Sequence, residues 1–251
     1  LAVQSNYLTK ELLMKHKISR SLLSLLVLLV GTGMALAGQL QYEVTITNLT
    51  RGQPFSPTVV AVHNGGLDPI FTLGQPSSEG IWRIAEGGDT SVLAPQLSAD
   101  PNVYDVKVTD GPFLPGKSVT VVLNAGYSVG PRYLSLAGML GSTNDAFYAL
   151  NGQLVTAPAW PFNMPDWVQE FFAPAYDAGS EFNSETCETV PGPPCDNGVN
   201  DRDTDGAEGY VYIHGGIHGV SGPPPNGLSA DMSDWRNPVA KITIRVSRHG
   251  F

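Results

Sequence analysis

Two short acidic segments hold the side chains best suited to chemistry: STNDAFYALNG (Ser142–Gly152) and AYDAGSEFNSE (Ala175–Glu185). Each sets carboxylates among small and aromatic residues. Carboxylates gathered from separate loops are what a hard, oxygen-seeking cation such as calcium requires. If the two segments meet, Asp145, Asp177 and Glu181 form one metal site, and Gly179 permits the tight loop that would turn Asp177 and Glu181 toward one ion. The competing use of the aspartates is to cap turns.

Three further patterns could carry chemistry. DRDTDG has the D-x-D-x-D-G spacing of an EF-hand loop at Asp201, Asp203, Asp205 and Gly206, where alternate residues face inward and Gly makes the bend. Its twelfth position is Tyr212 rather than Glu, Glu208 is the available substitute, and no flanking helices are expected, so a solvated acidic loop is the competing reading. His214 and His218 form H-x-x-x-H in HGGIHGV. Imidazoles suit zinc or copper, but the surrounding glycines oppose the helix that would put both on one face. GYSVG (126–130) matches the nucleophile-elbow pattern around Ser128, yet that motif needs a helix to follow, and here Pro131 and a strand-like run follow. A hairpin is expected instead. No pattern completes a catalytic constellation, and the chain is expected not to be an enzyme.

Charge and targeting narrow the partners. The chain carries 14 Lys and Arg against 23 Asp and Glu, net −9. Such an acidic balance is unfavourable for nucleic acid or anionic membranes and favourable for cations. Met14 is followed by Lys15, Lys17 and Arg20, then by the apolar run SLLSLLVLLV (21–30) and by Ala35-Leu36-Ala37. That order is a secretory signal peptide with cleavage expected after Ala37. Residues 1–37 are thus upstream residues plus signal, 38–251 are the mature domain, and no membrane span is expected after cleavage. Lys10, Lys15, Lys17 and Arg20 precede the cleavage point against Glu11 alone, so the mature chain is more acidic still. In an oxidising compartment, extracellular or periplasmic, Cys187 and Cys195 are expected to form one disulfide around the loop ETVPGPP.

The elements that must position these residues are mostly strands. LQYEVTITNL (40–49) alternates apolar and polar residues as a half-buried strand does. Short runs of the same kind are 58–64, 103–110, 118–125, 132–140, 146–152, 209–215 and 239–247, each bounded by Gly, Pro, Asn or Asp. SSEGIWRIAEGG (77–88) and TSVLAPQL (90–97) read as short helices, with Ser77 and Thr90 as caps. DWVQEFF (166–172) reads as a helical turn within a long Pro-rich insertion, 153–208. Its Trp160, Phe162, Trp167, Phe171 and Phe172, with Tyr176, are expected to roof one end of the fold. Many short strands without β-α-β alternation predict an all-β, antiparallel β-sandwich with a long loop insertion and short helical turns.

Several segments, in order, resemble the spondin domain, the N-terminal adhesion module of F-spondin, in a stand-alone secreted form. They are SPTVVAVHNG (56–65), SSEGIWRIAEGG, STNDAFYALNG, AYDAGSEFNSE and NPVAKITIRV (237–246). The resemblance implies a β-sandwich with one calcium ion held by loop carboxylates at one end. By position, Asp145, Asp177 and Glu181 match the acidic residues of that site, with Glu181 standing where the family usually has Asp. It further implies an adhesion or recognition module whose partner is an extracellular protein or glycan surface. Two other expectations stand beside it. One is a subunit of an extracellular assembly or matrix, a homo-oligomer or polymer built through exposed strand edges. The other is a secreted metalloenzyme using His214 and His218.

Overall fold

The computed structural model describes residues 39–127, 130–156, 167–195 and 202–249. The expected signal segment, Ser128, Trp160, Phe162 and Asp201 lie outside them.

The fold is an antiparallel β-sandwich. Its first sheet has the order β4-β1-β10-β7, from β1 (Gln39–Asn48), β4 (Ser118–Tyr127), β7 (Trp167–Ala173) and β10 (Ala240–His249). The second has the order β3-β2-β5-β6-β8-β9. Its strands are β2 (Val59–His63), β3 (Val103–Val108), β5 (Arg132–Met139), β6 (Ala146–Val155), β8 (Ala175–Asp177) and β9 (Tyr212–Ile213). The alternation read in the first strand is the inward row Tyr42, Val44 and Ile46, all fully buried. It faces the inward row of β10, Ile242, Ile244 and Val246, across a ten-residue antiparallel register. The first and last strands are therefore neighbours in one sheet.

The six-stranded sheet is covered on both faces, which explains why VVAVH in β2 is an unbroken buried run rather than an alternating one. One face meets the other sheet; there Tyr148 stacks on Phe55 with ring centroids 4.1 Å apart. The opposite face carries α1 (Glu79–Gly87) and α2 (Leu93–Ala99), whose Ile81, Ile84, Leu93 and Leu97 pack with Val59, Ala61 and Phe147. Helix α1 is amphipathic and stops at Gly88, whose φ of 67° supplies the left-handed turn of a helix end.

Four expectations are corrected. DWVQEFF is not helical; it is β7, paired with β10 from Ala240↔Ala173 to Val246↔Trp167. Its Trp167 and Phe172 are exposed, while Phe171 packs on the core, so only part of the aromatic group roofs the fold. The strands on either side of GYSVG do not form a hairpin, because β4 pairs with β1 and β5 pairs with β2 and β6. The two strands belong to different sheets. Ser77 and Thr90 are not the caps; the residues preceding α1 and α2 are Ser78 and Val92, without side-chain capping bonds.

Candidate functional site

The two acidic segments meet. β6 and β8 pair antiparallel with Ala146 opposite Asp177, and the Ala178 N–H donates to the Asp145 carbonyl at 3.1 Å. This pairing sets both aspartates at one end of the sheet, fully buried. The chain then turns at Gly179, with φ 63°. A Cβ there would lie 2.3 Å from the Tyr210 carbonyl oxygen, so only glycine allows residues 179 and 210 to approach this closely. The turn aims two backbone donors at Asp145 Oδ2: Ser180 N–H at 2.7 Å and Glu181 N–H at 3.0 Å. Asp145 Oδ1 is buried and has no hydrogen-bond partner.

Asp177 sits beside Asp145 in a polar knot. Its Oδ1 accepts from the Gly179 N–H at 2.8 Å. Its Oδ2 accepts from Asn183 Nδ2 at 2.7 Å. The same Asn183 Nδ2 lies 3.0 Å from the Tyr212 hydroxyl and 3.4 Å from Glu208 Oε1, and that hydroxyl donates to Glu208 Oε1 at 3.1 Å. Glu208 Oε2 is a second buried oxygen without a partner, and Glu181 Oε2 is a third. His214 Nε2 lies 3.5 Å from Asp177 Oδ2. The Gly216 N–H donates to His214 Nδ1 at 3.0 Å, so the neutral ring carries its proton on Nε2. Burial pushes the His214 pKa down to about 4. The ring is therefore neutral at pH 7 and supplies no positive charge. Among the described residues no lysine or arginine pairs with Asp145, Asp177 or Glu208. Burial, with the Asp177 charge next to it, pushes the Asp145 pKa up to about 8. Burial raises that of Asp177 as well.

Glu181 faces elsewhere. Its backbone N–H serves Asp145, but its Oε1 accepts from the Asp203 N–H at 3.3 Å. Burial first, then the Glu86 charge, pushes its pKa up to about 8. This second cluster has a resident cation. Arg202 meets the buried Glu86 carboxylate with both oxygens engaged, Nη2 to Oε1 at 2.7 Å and Nε to Oε2 at 2.6 Å. Its guanidinium lies 4.3 Å from the Trp82 ring centroid. The acidic loop is thus fastened to α1 by its arginine. Asp203 Oδ1 accepts from the Asp205 N–H at 3.3 Å, and Asp205 is exposed. Within the described residues 202–206 the loop makes a local turn.

His214 and His218 line one cavity of about 490 Å³ with Asp234, Trp235 and Arg236. His214 is buried, whereas the His218 side chain is 68% exposed with its Nδ1 4.0 Å from Glu185. Sequence reasoning missed Glu185. Its buried carboxylate accepts three successive backbone N–H groups, from His218, Gly219 and Val220, at 2.6 to 3.0 Å. It clamps the glycine-rich loop against the acidic segment. Its φ of 56° marks a special backbone position that the sequence does not announce. Cys187 and Cys195 form the expected disulfide.

Among the described residues no three His, Cys, Asp or Glu side chains stand together as a ready-made ion cage. Fold and site define a class: an antiparallel sandwich with buried, uncompensated carboxylates where β6 and β8 meet. No protein-family model matches this sequence, and no curated protein matches it. The likeness to the spondin domain therefore rests on the segments quoted above.

Proposed function

We propose that this chain is a secreted calcium-binding adhesion or recognition module, in which the ion braces loops at one end of the sandwich. The observation that carries the reading is the buried pair Asp145 and Asp177, with Asp145 Oδ1 unpartnered and no lysine or arginine paired with either among the described residues. Buried carboxylates need a counter-charge or a proton, and an oxygen-only donor set selects a hard cation. Asp145 and Asp177 would hold it, and the resemblance adds Glu181. The ion would supply positive charge and a cross-brace between the start of β6 and the insertion.

The formed disulfide suits export to an oxidising compartment, and among the described residues no helix is long and apolar enough to cross a membrane. Recognition would fall to the loops beside the ion and to exposed aromatics such as Trp167, Phe172 and Phe182. Elemental analysis of the purified mature chain tests the reading. It predicts about one calcium per chain, removed by EDTA. Stoichiometric zinc or copper instead would favour the histidine-based metalloenzyme, and no bound metal would contradict both.

A further inference from the structure

The geometry points to Ser135 as a nucleophile activated by His63, forming a second site that takes the acyl group of small, uncharged esters. The inference is independent of the calcium reading and concerns β2, β5 and the second half of β6.

His63 ends β2 and Ser135 lies in β5, 72 positions away, so no sequence motif joins them. Strand pairing does. Ala61 stands opposite Ser135 and His63 opposite Tyr133, which makes His63 and Ser135 diagonal neighbours on one face of the sheet. Both stand at breaks in the ladder. Between β5 and β6 the register runs from Leu134↔Gln153 to Leu136↔Leu150, so Asn151 and Gly152 oppose the single Ser135. Gly152 has φ 67°. Between β2 and β3 the register steps from Val62↔Asp105 to His63↔Val103, leaving Tyr104 extra. Bulges of this kind re-aim side chains and are over-represented next to active sites.

The hydrogen bonds assign the protons. His63 Nδ1 lies 2.7 Å from the Asn64 carbonyl oxygen. A carbonyl only accepts, so Nδ1 carries the proton of the neutral ring and Nε2 is the acceptor. Nε2 is 3.0 Å from Ser135 Oγ, and the serine hydroxyl therefore donates to it. The Gly152 N–H donates to the same Oγ at 2.9 Å. The serine proton thus points at a base, and the Asn64 carbonyl orients that base as a carboxylate does in a serine–histidine–aspartate triad. The Tyr133 ring stacks on the imidazole, centroids 5.9 Å apart. Burial lowers the His63 pKa from 6.5, outweighing the Asn64 bond and the Asp100 charge, so the ring is neutral at pH 7 and able to accept a proton.

Both side chains are buried, yet they line a cavity of about 260 Å³ together with Leu67, Asp68 and Tyr133. That space suits a short acyl group. The charges beside it, Asp68 in its wall and Asp100 near His63, are negative and disfavour anionic substrates. In the reaction, Ser135 Oγ bonds to the acyl carbon while its proton passes to His63 Nε2. The ester C–O bond then breaks, and the imidazolium returns that proton to the departing alcohol. Water, deprotonated by His63 in turn, cleaves the acyl-serine to a carboxylic acid and restores the hydroxyl.

The test uses p-nitrophenyl acetate with the mature chain at pH 8, following p-nitrophenolate release by absorbance. Wild type is expected to accelerate release, with acid-quenched samples carrying one acetyl group on Ser135 by peptide mass spectrometry. The acceleration should vanish in S135A and in wild type unfolded in urea, and fall about a hundred-fold in H63Q. Circular dichroism confirms that each variant folds. S135A removes a single oxygen and the urea control needs no variant, so the test stands even if H63Q does not fold. Release no faster with wild type than with S135A, or an unchanged rate in folded H63Q, would overturn the inference and leave the pair as a buried hydrogen bond. Neither result bears on calcium.

Discussion

Two acidic clusters branch from the same 177–185 segment and balance their charge differently. Glu86, Glu181 and Asp203 gather around Arg202, which grips Glu86 with two hydrogen bonds and lies over Trp82. Asp177 and Glu208 gather around an asparagine amide and a tyrosine hydroxyl, with a neutral imidazole and Asp145 beside Asp177, and none of these supplies positive charge. A cluster with its own cation is a fastening. A cluster without one leaves its buried carboxylates to be balanced by protons or by a bound cation. That contrast, rather than the number of carboxylates, separates the region that fastens the acidic loop from the region proposed to bind the ion.

The link between the regions is the sharpest place to break both. Gly179→Ala would push a methyl group into the Tyr210 backbone at a left-handed position. A loss of about 3 kcal/mol is expected, together with loss of any calcium response, because both clusters depend on this turn. Chemical denaturation with and without calcium checks it. A mild variant with normal calcium binding would show that the two regions are not joined through residue 179.

Asp145→Asn separates charge from shape. The amide oxygen can keep the bonds from Ser180 and Glu181, while the buried charge is removed. In EDTA at pH 8 the variant should be more stable than wild type by at least about 1 kcal/mol, since each pKa unit by which burial raises Asp145 corresponds to about 1.4 kcal/mol, and it should gain nothing from calcium. The pH dependence of the metal-free wild type follows from the same carboxylates. Asp145 has its pKa raised to about 8 from 3.8, so the folded state holds a proton that the unfolded state has released. Its stabilising contribution is full below pH 3.8 and is lost as pH rises through 8. His214 has its pKa lowered from 6.5 to about 4, so it opposes stability only as pH falls below 6.5. Between pH 6.5 and 8, metal-free stability should therefore fall as pH rises, and the slope should be smaller in Asp145→Asn.

The compensated cluster gives the smallest expected effect. Arg202→Met removes the counter-charge of buried Glu86, but the arginine is 43% exposed, so a loss of about 1 kcal/mol is expected. Calcium should stabilise this variant as much as wild type. A lost calcium response would mean that the two clusters act as one.

The strands were legible in the sequence where a single rule governs them. β1 alternates because one face is buried, and β2 is continuously apolar because both faces are. β7 was not legible: Trp167, Val168, Phe171 and Phe172 follow neither period, because the strand leaves Trp167, Val168 and Phe172 exposed. Asp145 and Asp177 could be paired from the sequence by their carboxylate-rich segments and the resemblance those segments carry, although only Asp145 borders a run that reads as a strand and β8 lies inside the segment read as a loop. The destinations of Glu181 and Glu208 could not. Glu181 follows a tight turn that sends its side chain toward α1, and the Arg202–Glu86 pair joins residues 116 positions apart. Glu208 looked like the missing end of an EF-hand loop, whereas the structure places it beside Asp177.

The most direct measurement is the melting temperature of EDTA-treated mature chain at pH 8, with and without calcium. Binding to the folded state alone adds RT ln(1 + [L]/Kd), about 2.7 kcal/mol at a calcium concentration one hundred times Kd. The account predicts a saturable rise of several degrees with calcium, reversed by EDTA. An unchanged melting temperature at millimolar calcium would contradict it and leave the Asp145–Asp177 pair as carboxyl groups that share a proton.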